Sequence, residues 1–273
     1  MTKTILPVLA DVEGLGKVVE ANTDFYTELQ QLKLDRVVLI SPRNEAYARI
    51  HTQGKENIGK SYGTRTSAGF EYAKEQLPIF RVKSKLNNLR RAKLVVEANR
   101  QGNYFHTSST KEYEDSLKQA EIDKNKEPIK RNVIILPSRT QFTISDKENW
   151  GIYQAILKDQ AKQYFELNGP IDIYPIDTSD VDSQNGTILT PLWFGSLDSR
   201  SELLGYGRSA DYYNDRARGV LEGSGEATSP KISERAPYTP RQIKSYSEIV
   251  QGVRDGTLPA SKLEKIIKFF QGI

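Results

Sequence analysis

The fold of this chain is decided by residues 131–176, which read RNVIILPSRTQFTISDKENWGIYQAILKDQAKQYFELNGPIDIYPI. The stretch opens with four apolar residues, 133–136, that are rich in β-branched side chains and are stopped by Pro137. A short apolar run of this kind predicts a strand buried on both faces. Residues 141–144 then alternate between polar and apolar side chains, which predicts a second short strand.

A helix is expected next in this stretch. Ser145 stands three residues before Glu148, which is the spacing of a capping box, and Gly169-Pro170 is a typical helix end. Residues 171–176 then predict another strand, so the stretch forms a strand–helix–strand core. The residues predicted to share the buried face of the helix are Trp150, Tyr153, Leu157, Ala161 and Tyr164.

Composition limits the classes of protein to which the chain can belong. Its 273 residues are 37% hydrophobic and 27% charged, with a mean hydropathy of -0.59, which is typical of a water-soluble protein with much polar surface or loop. The chain has no cysteine, which excludes disulfides, thiolate metal sites and cysteine nucleophiles. No apolar run approaches the roughly twenty residues of a membrane span, and the N-terminus is too weakly apolar for a signal peptide. We therefore expect synthesis in a cytoplasm, no membrane association and no cofactor.

The N-terminal residues predict strands and helices in alternation. We expect a strand at 5–9, a helix over 12–19, a second helix that carries Phe25, and a buried strand at 37–40. Residues 44–66 predict irregular structure because they contain several Gly, Thr and Asn residues.

The segments on either side of the central stretch are predicted in the same way. On its N-terminal side we expect a short helix over 70–77, a half-exposed strand at 80–82, a helix over 86–96 and a polar helix from a capping box at Ser109. On its C-terminal side a strand or packed loop is expected at 188–194, and short helices at 198–204 and 210–221.

These elements predict an α/β or α+β fold with a mixed sheet, flanking helices, a long irregular C-terminal third and a terminal helical hairpin. The predicted organisation is an α/β core over 1–196, an irregular interaction segment and linker over 197–239, and the hairpin over 240–273. The linker is indicated by Gly, Ser, Thr, Pro and alternating charges after residue 222.

Residues 54–61, GKENIGKS, fit the P-loop pattern of phosphate-binding proteins. In such a site backbone N–H groups bind phosphate, the lysine reaches the terminal phosphate and the serine binds magnesium. The flanking residues are poor material for the strand and helix that a P-loop needs, so a basic loop is the favoured interpretation. The candidate phosphate-binding residues are Gly54, Gly59, Lys60 and Ser61.

A basic segment over 81–100 is the second candidate site. Phosphate or nucleic-acid binding is one interpretation, a solvated helix face is the favoured one, and binding to an acidic protein is a third. A net charge of +4, from 39 basic and 35 acidic residues, does not decide between them. The candidate nucleic-acid-binding residues are Arg81, Lys83, Lys85, Arg90, Arg91 and Lys93.

Catalytic and metal sites are not predicted. Four aspartates cluster near the end of the strand at 171–176, but turn formation is their more common role, and neither His51 nor His106 lies in a motif. No Gly-x-Ser-x-Gly nucleophile pattern is present.

Tyrosines and arginines in the C-terminal third are the strongest functional signal. Both residue types are enriched in protein–protein contacts, although the tyrosines could equally cover their own domain. We predict a non-enzymatic structural or assembly protein that binds itself and other proteins, in a homo-oligomer or a larger particle such as a virion assembled in the cytoplasm. The alternative is a nucleotide- or nucleic-acid-binding protein. The predicted protein-contact residues are Tyr206, Tyr212, Tyr213, Ile243, Tyr246, Ile266 and Phe270.

Overall fold

The computed structural model describes residues 6–53, 58, 63–107, 110–176, 181, 186–197, 202–205, 210 and 216–221. Within them, eleven strands form one mixed sheet. The strands are β1 (Val8–Val12), β2 (Gly16–Ala21), β3 (Val37–Leu39), β4 (Thr64–Tyr72), β5 (Ile79–Arg81), β6 (Val133–Ile135), β7 (Phe142–Ile144), β8 (Ile171–Tyr174), β9 (Ile188–Phe194), β10 (Glu202–Leu204) and β11 (Ala217–Leu221). The helices are α1 (Phe25–Leu34), α2 (Pro42–His51), α3 (Leu89–Arg100), α4 (Lys111–Lys124), α5 (Trp150–Leu157) and α6 (Ala161–Asn168). This confirms the predicted mixed sheet with flanking helices.

The main path through the sheet runs β1-β2-β11-β4-β9-β10-β8-β7. Neighbouring strands are antiparallel except β11 with β4 and β10 with β8. A register shift between Arg65 and Gly69 divides β4, so that its first part pairs with β11 and its later part with β5. The sheet therefore branches at β4, and β6 extends the second branch through β5.

Helices cover both faces of the sheet. Val18 and Val19 are adjacent on β2, so their side chains point to opposite faces. Val18 packs with Ala48 of α2, whereas Val19 packs with Leu32 of α1. Helix α3 packs on α1, and α5 and α6 pack on α2, which gives three layers.

The predicted strand–helix–strand unit at 131–176 is confirmed by β6, β7, α5, α6 and β8. The Ser145 Oγ accepts the Glu148 N–H at 3.1 Å, but the helix begins only at Trp150, after Asn149 in the left-handed conformation. The helix is broken at Lys158, which has a positive φ of 59°. Four of the five predicted face residues are buried, while Trp150 is only partly buried and stacks on Tyr153.

The helix predicted over 12–19 is wrong, because these residues form the β1–β2 hairpin. Gly14 and Gly16 adopt positive φ values of 76° and 98°, which glycine tolerates and which turn the chain. The spacing of Val12 and Val18 fits a hairpin as well as a helix. The predicted helix at Phe25 and the strand near 37–40 are confirmed as α1 and β3. The first strand of the described residues begins at Val8, and residue 5 lies outside them.

Helix α2 occupies part of 44–66, where irregular structure was predicted. Ser41 caps it by accepting the Asn44 N–H at 3.1 Å. The helix predicted over 70–77 is wrong, since Phe70 and Tyr72 belong to β4. The strand predicted as half-exposed at 80–82 is β5, and Phe80 is fully buried because β5 lies between β4 and β6.

Helix α3 confirms the helix predicted over 86–96, and α4 confirms the polar helix, although Ser109 lies outside the described residues. The helices predicted at 198–204 and 210–221 are wrong: these segments contribute β10 and β11 to the sheet. The sheet thus extends past residue 196, and β11 lies in its middle. The linker from residue 222 and the terminal hairpin fall outside the described residues.

Candidate functional site

A cluster of buried charges lies between the sheet and α2. It centres on Arg218 of β11, which stands directly across from Glu20 of β2. Each of the two strands carries its charge at a buried position, and α2 adds two more. We call the set Glu20, Glu45, Arg49, Arg216 and Arg218 the arginine–glutamate cluster; all but the Arg216 side chain are at most 6% exposed.

Glu45 is the central acceptor of the arginine–glutamate cluster. Its Oε1 accepts from Arg49 Nε at 2.7 Å and from Arg218 Nη1 at 2.5 Å. Burial alone would raise the pKa of Glu45, but Arg218 and Arg49 outweigh burial and lower it. Glu45 is therefore ionised at neutral pH, and both arginines need it as a counter-ion.

All three guanidinium nitrogens of Arg49 have hydrogen-bond partners. Its Nη2 donates to the Phe194 carbonyl at 3.1 Å, and the guanidinium stacks 4.2 Å above the Phe194 ring. Its Nη1 lies 3.4 Å from the Tyr164 hydroxyl on α6. This arginine joins α2 to β9 and α6.

Arg218 connects the sheet to the segment after α2. Its Nε lies 3.4 Å from Glu20 Oε2, and its Nη2 donates to the Ile58 carbonyl. The Ile58 N–H donates to Thr52 Oγ1 at 3.3 Å. Both backbone polar groups of Ile58, at the middle of residues 54–61, are therefore bonded to the protein itself.

A second buried pair, Glu28 with Arg65, lies on the opposite face of the sheet. Arg65 Nη1 donates to Glu28 Oε2 at 2.6 Å and its guanidinium is 5.9 Å from the Phe25 ring. Arg65 stands beside Ala217, which packs with Leu32 of α1. The pair fixes α1 on β4 as the arginine–glutamate cluster fixes α2 on β11.

These carboxylates are poorly suited to acid–base chemistry. Guanidinium groups do not release protons at accessible pH, and Arg218 and Arg49 hold Glu45 in its ionised form. Breaking a buried pair strands one charge in the interior, at a cost of about 3–5 kcal/mol. The arrangement acts to position strands and helices.

A third polar group joins β4, β5, α3 and α4, and we call it the Glu71 cluster. Lys85 Nζ lies 2.9 Å from Glu71 Oε2 and 3.0 Å from Ser116 Oγ. Ser116 Oγ donates to the same Glu71 oxygen at 2.6 Å. The remaining members are Arg81, 3.3 Å from Glu71, and Glu112, which binds Arg91 at 2.7 Å.

A serine, a lysine and a carboxylate within hydrogen-bonding distance of one another can form an arrangement that activates the serine as a nucleophile. Here Lys85 donates to both Glu71 and Ser116, and Ser116 donates to Glu71, so the lysine does not accept the serine proton. Ser116 is 1% exposed, which denies a substrate access to its oxygen. The Glu71 cluster therefore has the chemistry of a structural hydrogen-bond network.

The structure brings together half of the predicted nucleic-acid-binding residues. Arg81, Lys85 and Arg91 turn towards Glu71 and Glu112, and the Arg91 bond lowers the pKa of Glu112. Lys93 lies 3.6 Å from Glu97 on the same helix, while Lys83 and Arg90 are exposed. Nucleic-acid binding by this segment stays a prediction, with less free positive charge than the sequence suggests.

The predicted phosphate-binding residues Gly54, Gly59, Lys60 and Ser61 lie outside the described residues, and phosphate binding stays a prediction. The segment that contains them is preceded by α2 and followed by β4. A P-loop follows a strand and opens a helix, which is the reverse order.

The predicted protein-contact residues also lie outside the described residues: Tyr206, Tyr212, Tyr213, Ile243, Tyr246, Ile266 and Phe270. Of the C-terminal arginines, Arg216 and Arg218 belong to the arginine–glutamate cluster and face inward.

Metal binding has no visible basis in the part of the chain that the structure describes, where no three His, Cys, Asp or Glu side chains converge. His51 stacks on Tyr47 with ring centroids 3.9 Å apart, and Asp172 accepts from Thr143 at 2.5 Å. Among the same residues, none of the helices combines the length and the apolar character that crossing a membrane requires.

Sequence reasoning missed Ser116, Glu71 and the two buried glutamates of α1 and α2. Arg218 and Glu45 are 173 residues apart in the chain, and Ser116 and Glu71 are 45 apart. The one local signal was the i,i+4 spacing of Glu45 and Arg49, which indicates an ion pair on a helix.

Comparison with known proteins gives a distant structural likeness. No family model matches the chain, and no curated protein matches it. A solved structure described as "Accommodation of massive sequence variation in Nanoarchaeota by the C-type lectin fold" is similar at a TM-score of 0.47 and 18% identity. The match covers 75% of this chain and 97% of the other.

Proposed function

We propose that this protein is non-enzymatic and acts through contacts with copies of itself and with other proteins, in a homo-oligomer or a larger particle assembled in the cytoplasm. The observation that carries the proposal is the internal use of charge. The described residues contain three groups of polar side chains: the arginine–glutamate cluster, the Glu28–Arg65 pair and the Glu71 cluster. Within each group the buried charged and hydroxyl side chains bind one another.

This use of charge supports a structural role over a catalytic one. An active site needs at least one reactive group that a substrate can reach and whose protonation state can change. Glu45 is fully buried between two guanidinium groups, and Ser116 is buried beneath Lys85. These groups hold secondary structure elements together instead.

Two edges of the sheet, at β1 and at β6, bear on how partners bind. Pro7 directly precedes β1, and Asp11 on this strand is exposed. The pairing of β1 with β2 also has a register shift between Val8 and Ala10. On β6, the outward N–H of Val133 donates to Asp123 of α4. Such features discourage the addition of a foreign strand. We therefore assign the contacts to side chains rather than to backbone edges.

The sequence after the sheet offers apolar side chains for such contacts. Ile243, Val250, Ile266 and Phe270 recur at helical spacing in residues 240–273. Isolated helices of about twelve residues are marginal in water, and they gain stability by packing on another surface. We propose that these side chains, with Tyr206, Tyr212, Tyr213 and Tyr246, form the contact with a partner.

The test is a pair of substitutions in the full chain, Ile266→Asp with Phe270→Asp, followed by light scattering during size-exclusion chromatography. We expect the oligomer mass to fall while the melting temperature of the sheet-containing unit stays within a few degrees of that of the unmodified protein. The matched control, Ser261→Asp with Gln271→Asp, adds the same charge without removing apolar area and should keep the mass.

Two results would contradict the proposal. An unmodified chain that is monomeric at micromolar concentration and captures no partner would remove its basis. An oligomer mass unchanged by the apolar substitutions would show that residues 240–273 do not form the contact.

A further inference from the structure

Lys158 occupies a backbone position that lysine rarely adopts. It ends α5 with φ 59° and ψ -131°, and α6 follows after one short 3₁₀ turn, Lys158–Gln160. Side chains other than glycine are disfavoured in this region, and such residues concentrate at functional sites. Among the described non-glycine residues, only Arg36, Glu75 and Asn149 share a positive φ with Lys158.

The amine of Lys158 is partly buried and meets neutral acceptors. Its Nζ donates to the Arg131 carbonyl and lies 3.5 Å from the Asn132 Oδ1. Within the described residues no carboxylate lies within 4.0 Å of it. A counter-ion would keep the amine protonated, so the charged groups packed around Lys158 bear on its reactivity.

The neighbouring acids are bound to other groups. Asp123 of α4 binds Lys126 and two backbone N–H groups, and Asp159 binds Arg43 at 2.6 Å. The preceding 3₁₀ turn, Pro128–Lys130, contributes Lys130, which pairs with Glu127. Arg131, the next residue, donates to two backbone carbonyls. Among the described residues, Lys158 is thus an amine without a dedicated counter-ion.

Partial burial favours the uncharged form of such an amine. Removal from water lowers the pKa of Lys158 to about 8, and the charge of Asp123 offsets only part of this effect. At pH 7 the neutral fraction is then about 200-fold larger than for a lysine in water with its ordinary pKa of about 10.4.

We propose that Lys158 is a site of N-acylation by activated acyl donors such as acyl phosphates and thioesters. The Nζ lone pair attacks the carbonyl carbon of the donor, an N–C bond forms, and the C–O bond to phosphate or the C–S bond to the thiol breaks. The leaving group carries away the electron pair, and the amine proton passes to water. The resulting amide is uncharged and larger, and it leaves a single N–H in place of the amine at the Arg131 carbonyl.

The experiment uses the full, folded chain and acetyl phosphate, with site-by-site acetylation rates measured by mass spectrometry between pH 6.5 and 10. Lys162 is the internal comparison, since it lies four residues away on α6 and is 85% exposed. We expect Lys158 to react about tenfold faster than Lys162 at pH 7, because lower basicity and burial offset part of the gain in neutral amine. Its rate should level off near pH 8.

Two controls assign the effect to the folded environment. In guanidinium chloride the Lys158 and Lys162 rates should become equal. In the Lys158→Arg variant, which keeps the charge, acetylation of Lys162 should be unchanged. The proposal is overturned if Lys158 reacts no faster than Lys162 at pH 7, or if its rate still rises steeply between pH 9 and 10.

Discussion

Asp123 at the end of α4 closes the free edge of β6, and its removal is the sharpest test of how this sheet is held. Its Oδ2 accepts the Asn132 and Val133 N–H groups at 2.8 and 2.9 Å. Its Oδ1 accepts from Lys126 at 2.7 Å and from Gln119 at 3.0 Å. One buried carboxylate thus makes four bonds and joins α4 to the sheet.

The expected loss follows from the exposure of each partner. In Asp123→Ala the buried Val133 N–H is left without an acceptor, which costs about 1–3 kcal/mol, while the exposed Asn132 N–H can turn to water. The Lys126 pair adds up to about 1 kcal/mol because Lys126 is 42% exposed and screened. We expect the free energy of unfolding to fall by about 1–4 kcal/mol in Asp123→Ala. In Asp123→Asn, which keeps an acceptor, it should fall by about 1–2 kcal/mol.

The pH dependence of this stability loss tests whether the negative charge of Asp123 is responsible for it. Burial would raise the pKa of Asp123, but the bonds from Lys126, the two backbone N–H groups and Gln119 lower it from 3.8 to about 2. A carboxylate whose pKa is lower in the folded state stabilises the protein above its ordinary pKa, and this contribution is lost as the pH falls towards 2. The difference between the unmodified protein and Asp123→Asn should therefore narrow between pH 5 and pH 2.5.

Urea unfolding followed by fluorescence at pH 7, 5, 3.5 and 2.5 measures these differences. The matched control is Asp115→Asn on the same helix, because Asp115 is 57% exposed and its 3.8 Å pair with Lys118 is weak. It should change the free energy of unfolding by less than about 0.5 kcal/mol. If Asp123→Ala is as mild as the control, or if the gap between the unmodified protein and Asp123→Asn does not change with pH, the carboxylate does not close the β6 edge.

Two further predictions concern the arginine–glutamate cluster and the P-loop pattern. Glu45→Gln should lower the free energy of unfolding by about 3–5 kcal/mol because Arg49 and Arg218 lose a buried counter-ion. Glu97→Gln, at an exposed 3.6 Å pair, should be near neutral in the same denaturation assay, and equal losses would refute the reasoning. ATP with magnesium should leave the melting temperature unchanged; an increase that Lys60→Ala abolishes would instead support nucleotide binding, worth about 2.7 kcal/mol at one hundred times the dissociation constant.

Elements with agreeing local signals could be predicted from the sequence. The stretch at 131–176 combines a β-branched run, a polar start signal, helical spacing and a glycine–proline stop, and each corresponds to an observed element. The hairpin at 8–21 could not be recognised, because Val12 and Val18 suit either periodicity. The glycines at its turn were interpreted as a weak helix start.

The strands that sequence reasoning missed carry charged residues at buried positions. β4 buries Arg65 and Glu71, and β11 buries Arg218. A charge in an apolar run argues against a buried strand unless a partner is known, and the partners here come from distant parts of the chain. Glu28 is 37 residues from Arg65, and Glu45 is 173 residues from Arg218. The same separation along the chain explains why the three groups of paired polar side chains could not be predicted from the sequence.

The position of β11 decides how assembly can be tested. This strand is close to the end of the described chain, yet it lies between β2 and β4 and supplies Arg218 to Glu20 and Glu45. A chain that ends before Ala217 would expose strand edges on both β2 and β4 and would remove Arg218 from the buried carboxylates Glu20 and Glu45. Such a truncation would lose its fold and its oligomeric state together, whatever the function of the residues that follow. A deletion intended to isolate partner binding must therefore begin after Leu221, where β11 ends and Arg218 is in place beside Glu20 and Glu45.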